Sequence, residues 1–409
     1  MPTVFTHKLR VLFVSGEFPP ETGFGGIGTY TKHMAESLAA AGHHATVLCR
    51  SSGVEEYTSI VNDVTIIRIP PEPHPLPRSK YTYMLRRLAN RFFPHTLNRL
   101  SWALAVRKKI SELLRLTARF DIIEAPECGA EGLFVSRRMC RCRIIRMHTP
   151  WEMIRTLDLL KEPWGDRFAL PWFEKFTSSK AEGCSAPSEA VAEEINKRWH
   201  LENIAVIRNP LPASTYRQST GDGWIYTGRI ERRKGVHLLI QAYGSCSRYS
   251  NLPGLTLIGG AYGTDSGGTD YGEYIRMLIA SQPSGIPVHW IEHSTLDEVA
   301  GHLRHSGVAF FPSLWENFPY TCLEAMASGC VVVASRCGGF PEIITDGKNG
   351  LLVEPDSRES LEKTMMMLVN HPEYRWVLGV AAREYVNTTV SPEVIGPEMV
   401  RFYRKQMGQ

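Results

Sequence analysis

Two basic and two acidic residues are spaced as a phosphate and sugar site would need them. In "GRIERRKG", Arg229 and Lys234 lie five residues apart, after a strand-like run and before a helix-like one. A guanidinium clamps two phosphate oxygens and an ammonium adds a compact point charge. Together they would neutralise a diphosphate as its bond to a sugar breaks; the plain alternative is a solvated basic turn. Farther on, "ENFPYTCLEAMASG" sets Glu316 and Glu324 on either side of an Asn-Phe-Pro turn. Pro319 suits a helix start, and Thr321, Cys322, Leu323, Met326 and Ala327 give a helix that stops at Gly329. A capping box needs its acid three residues after the cap, and these two acids are farther apart than that. The N–H groups of Phe318 to Thr321 then form an anion seat. The flanking carboxylates can accept hydrogen bonds from hydroxyls, such as those of a sugar and a ribose on either side of a diphosphate.

The elements that must position these groups alternate between short apolar runs and stretches of helical period. "RVLFVSG" reads as a buried strand, followed by the glycine-rich loop "ETGFGGIG" and a helix with Tyr30, Met34, Leu38 and Ala41 on one face. Gly42 ends that helix and "ATVLCR" returns as a strand, which makes a βαβ unit; "FDIIEAP" and "CRIIRMH" continue the pattern. A second series starts near residue 224 with "GWIYTGRI", and "LTLIGG", "VHWIEH", "VAFFPS" and "CVVVAS" supply four more strands. The reading is α/β: two doubly wound, Rossmann-like domains facing a central cleft. The first covers 1–208 and the second 224–390. The stretch 209–223, rich in Pro, Ser, Thr and Gly, is a linker with little to bury. The tail 391–409 reads as a helix that crosses back to the first domain. Such sheets bind ligands at the carboxyl ends of their strands, where each series carries a glycine turn.

A chain of 409 residues with 43% hydrophobic and 22% charged residues has an ordinary globular composition, and its net charge of +4 does not imply nucleic acid. Nine cysteines without C-x-x-C spacing argue against zinc and for a reduced, cytoplasmic protein. No segment approaches the roughly 18 apolar residues of a membrane span. In "GFGGIG" the glycines let backbone N–H groups approach an anion at a helix N-terminus, or else make a tight turn; the spacing differs from the dinucleotide fingerprint.

Glu316 and Glu324 in E-x7-E, "GRIERRKG", the early "GGIG" and "GGFPEII" (338–344) together resemble the large family of retaining GT-B glycosyltransferases. The resemblance spans nearly the whole chain and is strongest over 224–354. It implies Arg229 and Lys234 as the diphosphate-binding pair, Glu324 on the ribose hydroxyls and Glu316 on those of the transferred sugar. Asn317, Phe318 and Pro319 would supply backbone contacts, and Gly25 and Gly26 would approach the donor phosphate. Tyr320 and Thr321, where many relatives have Gly and small apolar residues, join the donor-binding set, as does Gly259. His148, in "RMHTPW", is similar to the histidine near the transferred sugar; taken alone it would read as structural. No D-x-D is present, and the resemblance implies neither metal nor any other cofactor. The resemblance implies a nucleotide diphosphate-sugar as the substrate.

The implied reaction moves that sugar to an acceptor hydroxyl in polysaccharide or glycoconjugate assembly. A GT-B-shaped nucleotide-sugar epimerase and a non-catalytic nucleotide-sugar-binding protein are the rivals. Residues 259–274 hold six glycines and read as a surface insertion without order or as a lid. Residues 78–119 carry eleven Lys or Arg against one acid, Glu112. This run reads as a solvated face or as an attraction to anionic lipid, with a saccharide, lipid-linked or anionic acceptor and peripheral association at the inner membrane face. Nucleic acid is not expected as a partner.

Overall fold

The computed structural model describes residues 7–23, 25–76, 79, 82–282 and 288–409. Arg78 and Lys80 of the basic run and Phe24 of the glycine loop lie outside them. The chain divides into two compact units: Met1–Met153, Lys161–Pro210 and Pro392–Gln409 form one, and Ile154–Leu160 with Leu211–Ser391 the other.

The first unit holds an eight-stranded sheet in the order β3-β4-β2-β1-β5-β6-β7-β8. Its strands are β1 (Arg10–Ser15), β2 (His44–Arg50), β3 (Tyr57–Val61), β4 (Val64–Ile69), β5 (Phe120–Pro126), β6 (Cys140–Arg146), β7 (Gly183–Ala186) and β8 (Ala205–Val206). All neighbours are parallel except β3 and β4, a hairpin closed by Asn62 and Asp63 in left-handed conformation. Asn and Asp tolerate that region, so the two-residue turn is accessible to them. The helices are α1 (Gly26–Ala40), α2 (Tyr83–Phe92), α3 (Pro94–Leu116), α4 (Trp151–Leu157), which passes into the second unit at Ile154, α5 (Trp164–Ser179) and α6 (Glu189–Trp199). Tyr30, Met34 and Leu38 are buried along α1, but Ala41 is an exposed C-cap and not part of the apolar face. On α3 the stripe Trp102, Val106 and Ile110 is buried, whereas Lys108 pairs with Glu72 and Lys109 with Glu56 and Glu112. Part of the basic run is therefore neutralised by acids from other segments.

The second unit holds six strands, all parallel: β9 (Gly223–Thr227), β10 (Leu255–Ile258), β11 (Val288–Ile291), β12 (Ser306–Phe311), β13 (Val331–Ser335) and β14 (Leu351–Val353). They lie in the order β11-β10-β9-β12-β13-β14. Around them run α7 (Val236–Cys246), α8 (Tyr271–Ala280), α9 (Leu296–Arg304), α10 (Tyr320–Ala327), α11 (Phe340–Ile343), α12 (Arg358–Asn370) and α13 (Glu373–Thr389). Trp224, Tyr226, Leu239, Tyr243, Leu257 and Phe310 centre its core. Both faces of such a sheet are covered, which is why its strands are continuous apolar runs such as "VVVA". Strand order reverses between β9 and β12, so the loops after them open on the switch point where ligands of such sheets bind.

Three expectations are corrected. The first domain is not continuous over 1–208, because Ile154–Leu160 groups with the second unit; the reason is the side chain of Asp158, described below. The stretch 209–223 is no free tether: Leu211 and Ala213 are buried, and Leu211 N–H donates to Val390 O. Its few apolar residues suffice to pin it. The glycine-rich 259–274 is ordered, with Tyr262 N–H donating to Ile230 O, Asp265 N–H to Thr269 O, and Asp270 capping α8 through Glu273 N–H. The tail forms α14 (Pro392–Gln406) in the first unit, where the Tyr403 hydroxyl donates to Glu124 Oε2 at 2.7 Å.

Gly235 joins the loop after β9 to α7 at φ +68°, and a Cβ there would fall 1.9 Å from Pro312 O. Both left-handed strain and a backbone collision follow from any side chain. Gly235→Ala should cost about 2–4 kcal/mol, read as a lower denaturation midpoint.

Candidate active site

The loops after β9 and β12 meet through charge. Lys234, in the loop after β9, donates from Nζ to Glu316 Oε1 in the loop after β12, and Ser313 Oγ donates to the same oxygen at 3.0 Å. Arg233 lies between them, with its side chain 7% exposed. Its Nε donates to Asp158 Oδ2 at 3.0 Å, its Nη2 pairs with Glu231 Oε2 at 2.8 Å, and Nη1 lies 3.9 Å from Glu316 Oε1. Asp158 also accepts from Arg233 N–H, so Ile154–Leu160 is held to this unit by a two-point contact. Arg229 joins the network through Glu231 at 2.9 Å, but 54% of its side chain is exposed and open to a ligand.

These positions reject the solvated-turn alternative. Arg233 is buried and Lys234 mostly so, both against carboxylates, as charge removed from water must be. Burial alone would raise the Glu316 carboxyl, but Lys234 and Arg233 outweigh it and hold the group below the usual carboxylate range. Backbone contacts fix Glu316 as well: its carbonyl accepts from Gly339 N–H at 2.9 Å, and a Cβ on Gly338 would fall 2.0 Å from it. "GGFPEII" thus abuts Glu316 through its first two glycines.

Glu324 sits on α10, eight residues on and 7% exposed. Burial pushes its carboxyl up to about 7, against a hydrogen bond from Tyr216. Pro319 is the N-cap of α10 rather than its first residue, and Phe318 and Tyr320 are buried in the core. The anion seat is smaller than expected, because Phe318 N–H already donates to Asn317 Oδ1 at 2.6 Å. Asn317 and Thr321 are half-buried. Gly259, at φ +141°, presses on Gly228 O, where a Cβ would fall 2.0 Å away. This glycine serves the close approach of the two loops.

In the first unit, Gly25 and Gly26 open α1, with nothing near a Cβ on Gly26; one on Gly25 would fall 2.3 Å from Glu17 Oε2. His148 follows β6, its N–H donating to Glu127 Oε2 at 2.8 Å and its ring edge-on to Tyr30. Its Nε2 is buried and bonds no protein atom. Burial and the nearby Arg146 push the ring down to about 3, so it is neutral at working pH. Close by, Arg50, His95, Asn98, Arg99, Trp151 and Glu174 line a cavity of about 180 Å³. Among the described residues no group of three His, Cys, Asp or Glu side chains is placed to hold a metal.

The pattern described as "Glycosyl transferases group 1" matches residues 216–385, and that of the "Glycosyl transferase 4-like domain" matches 25–210. The chain belongs to the group 1 glycosyltransferases. It is 25% identical to a glycogen synthase of Mycobacterium tuberculosis, over 97% of this chain and 94% of that one. Among solved structures it resembles sucrose-phosphate synthase from Thermosynechococcus elongatus (TM-score 0.76, 20% identity, 98% and 100% of the two chains). It also resembles Anabaena HepE in complex with UDP-glucose (TM-score 0.69, 15% identity, 97% and 100%). The GT-B fold is shared with these neighbours.

Sequence reasoning about this glycosyltransferase missed Asp158, Arg233 and Tyr216. An acid inside the basic run, Glu231 in "RIERRK", was a signal for internal pairing; Asp158, 75 residues from Arg233, gave none. Several buried carboxyls also make stability depend on pH. Glu127 is pushed up from 4.5 to about 8 by burial and by Glu174; burial pushes Glu174 and Glu324 up to about 7. Folded carboxyls keep protons that unfolded ones have lost, so their contribution to stability falls as pH rises from 4.5 to about 8. Glu316 acts in the opposite sense, and only below the usual carboxylate value. His148, its ring lowered from 6.5 to about 3, also opposes the carboxyls as far as 6.5, so the melting temperature should drop between about pH 6.5 and about pH 8, and Glu127→Gln should flatten that drop in calorimetry.

Proposed function

We propose that this glycosyltransferase moves a sugar from a nucleotide diphosphate donor to an acceptor hydroxyl with retention of anomeric configuration. The carrying observation is the ion pair of half-buried Lys234 with buried Glu316 at the switch point of the second sheet, with Arg229 half-exposed beside it. Arg229 and Lys234 supply positive charge where the diphosphate departs, the largest single source of stabilisation in such reactions. Because these side chains meet that charge, the reading expects no metal or other cofactor. Glu316, held ionised, accepts hydrogen bonds from the sugar's hydroxyls and is a positioning group, not a nucleophile. Glu324, with Tyr216, faces the ribose, and Asn317 to Thr321 with Gly259 complete the donor site.

A leaving phosphate oxygen takes the acceptor's proton on the same face, so no separate base is needed. His148, neutral and with Nε2 unpaired, meets a substrate hydroxyl, and Gly25 and Gly26 approach phosphate. The acceptor belongs to the first unit, where the cavity lined by Arg50, Arg99 and Asn98 suits a polyhydroxyl or anionic group. UDP-glucose in the Anabaena neighbour and glycogen synthesis in the mycobacterial relative support a nucleotide-sugar donor and a role in polysaccharide or glycoconjugate assembly.

A panel of nucleotide sugars should raise the melting temperature for one donor, since a ligand of the folded state alone stabilises it. Lys234→Ala should abolish transfer while the far-UV circular dichroism remains that of the wild type. Arg233 and Ser313 still face Glu316 in that variant, so the stability loss should stay near about 1–3 kcal/mol. Wild-type turnover in Lys234→Ala would reject the phosphate assignment, and an epimer formed from donor alone would favour the isomerase reading.

A further inference from the structure

Helices α2 and α5 expose an apolar face that the transfer reaction does not use. Met84, Leu88 and Phe92 recur every fourth residue on α2, and Trp164, Phe168, Trp172 and Phe176 do so on α5; all are exposed. Of the 24 exposed large apolar side chains among the described residues, nine lie on these two helices, so the exposure is not scattered. The helices pack on each other and on α3, and between them runs a groove of about 710 Å³ lined by Ala89, Leu97, Leu100, Trp164, Phe168 and Trp172.

The groove is preformed. Asp166 of α5 accepts from His95 N–H, Thr96 N–H and Thr96 Oγ1, which caps α3. Gly165 lets Phe93 approach so closely that a Cβ would fall 2.4 Å from its ring. Within the face the rings order one another, with Trp172 stacked on Phe176 and Trp164 edge-on to Phe168.

Charge selects the occupant. Helix α2 has no acid and carries Arg86, Arg87 and Arg91. Both acids of α5, Asp166 and Glu174, are buried, whereas Arg167 and Lys175 are exposed. Exposed Trp and Phe bordered by arginine, with no exposed acid on either helix, complement an anionic bilayer. The rings enter the headgroup boundary and the guanidinium groups meet lipid phosphates. A second copy of the chain would bring the same positive charges together. We infer that α2 and α5 dock this protein on the surface of an anionic membrane. The groove and the Arg50–Arg99 cavity adjoin through the start of α3, where Phe93, Thr96 and Leu97 line one and His95 and Asn98 the other. A lipid-borne acceptor would then arrive beside the proposed acceptor site; the docking itself stands without that assignment.

The test is sedimentation of the full chain with vesicles of phosphatidylcholine, alone or mixed with phosphatidylglycerol. Binding should require phosphatidylglycerol and weaken with salt. It should fall about tenfold or more for Trp164→Ser/Phe168→Ser/Trp172→Ser and for Arg87→Glu/Arg91→Glu. These side chains are exposed, so melting temperature and donor binding should stay at wild-type values. Equal binding to both vesicles, no binding, or binding unchanged in both variants overturns the inference. So does a concentration-dependent dimer that the aromatic substitutions abolish, which would assign the face to a second copy.

Discussion

A buried guanidinium sets the terms for the second unit. Arg233 has no water to stabilise it and must find carboxylates, and it finds three: Asp158, Glu231 and Glu316. Each comes from a different segment, so one residue's need for counter-charge joins the loop after β9, the loop after β12 and the short excursion Ile154–Leu160. Removing a single partner from such a cluster typically costs about 3–5 kcal/mol, because the remaining charge stays buried. The same cluster supplies the chemistry, since Lys234 and Glu316 hold each other in place.

The parallel sheet makes this possible. Because β9 and β12 are adjacent and the crossovers leave them in opposite directions, their following loops emerge side by side with no helix between them. Glycines at 228, 235, 259 and 338 all have positive φ, and a Cβ on Gly235, Gly259 or Gly338 would strike a carbonyl of a neighbouring loop. The backbone is therefore packed at the site as tightly as side chains are in the core. The first unit repeats the plan around β1, β5 and β6, with the glycine turn, Glu127 and His148 following those strands.

The strands and the identity of the charged residues were legible because both are local. Unbroken apolar runs gave β1, β9, β12 and β13, and glycine turns marked their carboxyl ends. The hairpin of β3 and β4 was missed although "ND" between two short runs is a turn signal; β3 is mostly exposed and lacks an apolar stripe, whereas the buried run "VTIIRI" of β4 was a signal that went unread. Asp158 and Tyr216 were illegible for another reason. Their partners, Arg233 and Glu324, are distant in sequence, and nothing in "TLDLLK" or "STYRQS" says which charge or hydroxyl they will meet. The stretch 209–223 misled because its composition is that of a loop, whereas Asn209, Pro210, Leu211 and Ala213 are buried and anchor it.

The route of the chain has a consequence for dissection. The polypeptide passes between the units at Ile154, Lys161, Leu211 and Pro392, so no single cut separates two self-sufficient halves. A fragment beginning at Leu211 would keep the whole second sheet yet lack Asp158, and its Arg233 would enter the core missing the carboxylate that accepts from both its backbone N–H and its Nε. A fragment ending at Pro210 would lose Tyr403 and leave the Glu124 carboxylate with one hydroxyl instead of two. Neither half is a module in the sense of something that can be lifted out and grafted elsewhere, which ties the inheritance of the two to each other.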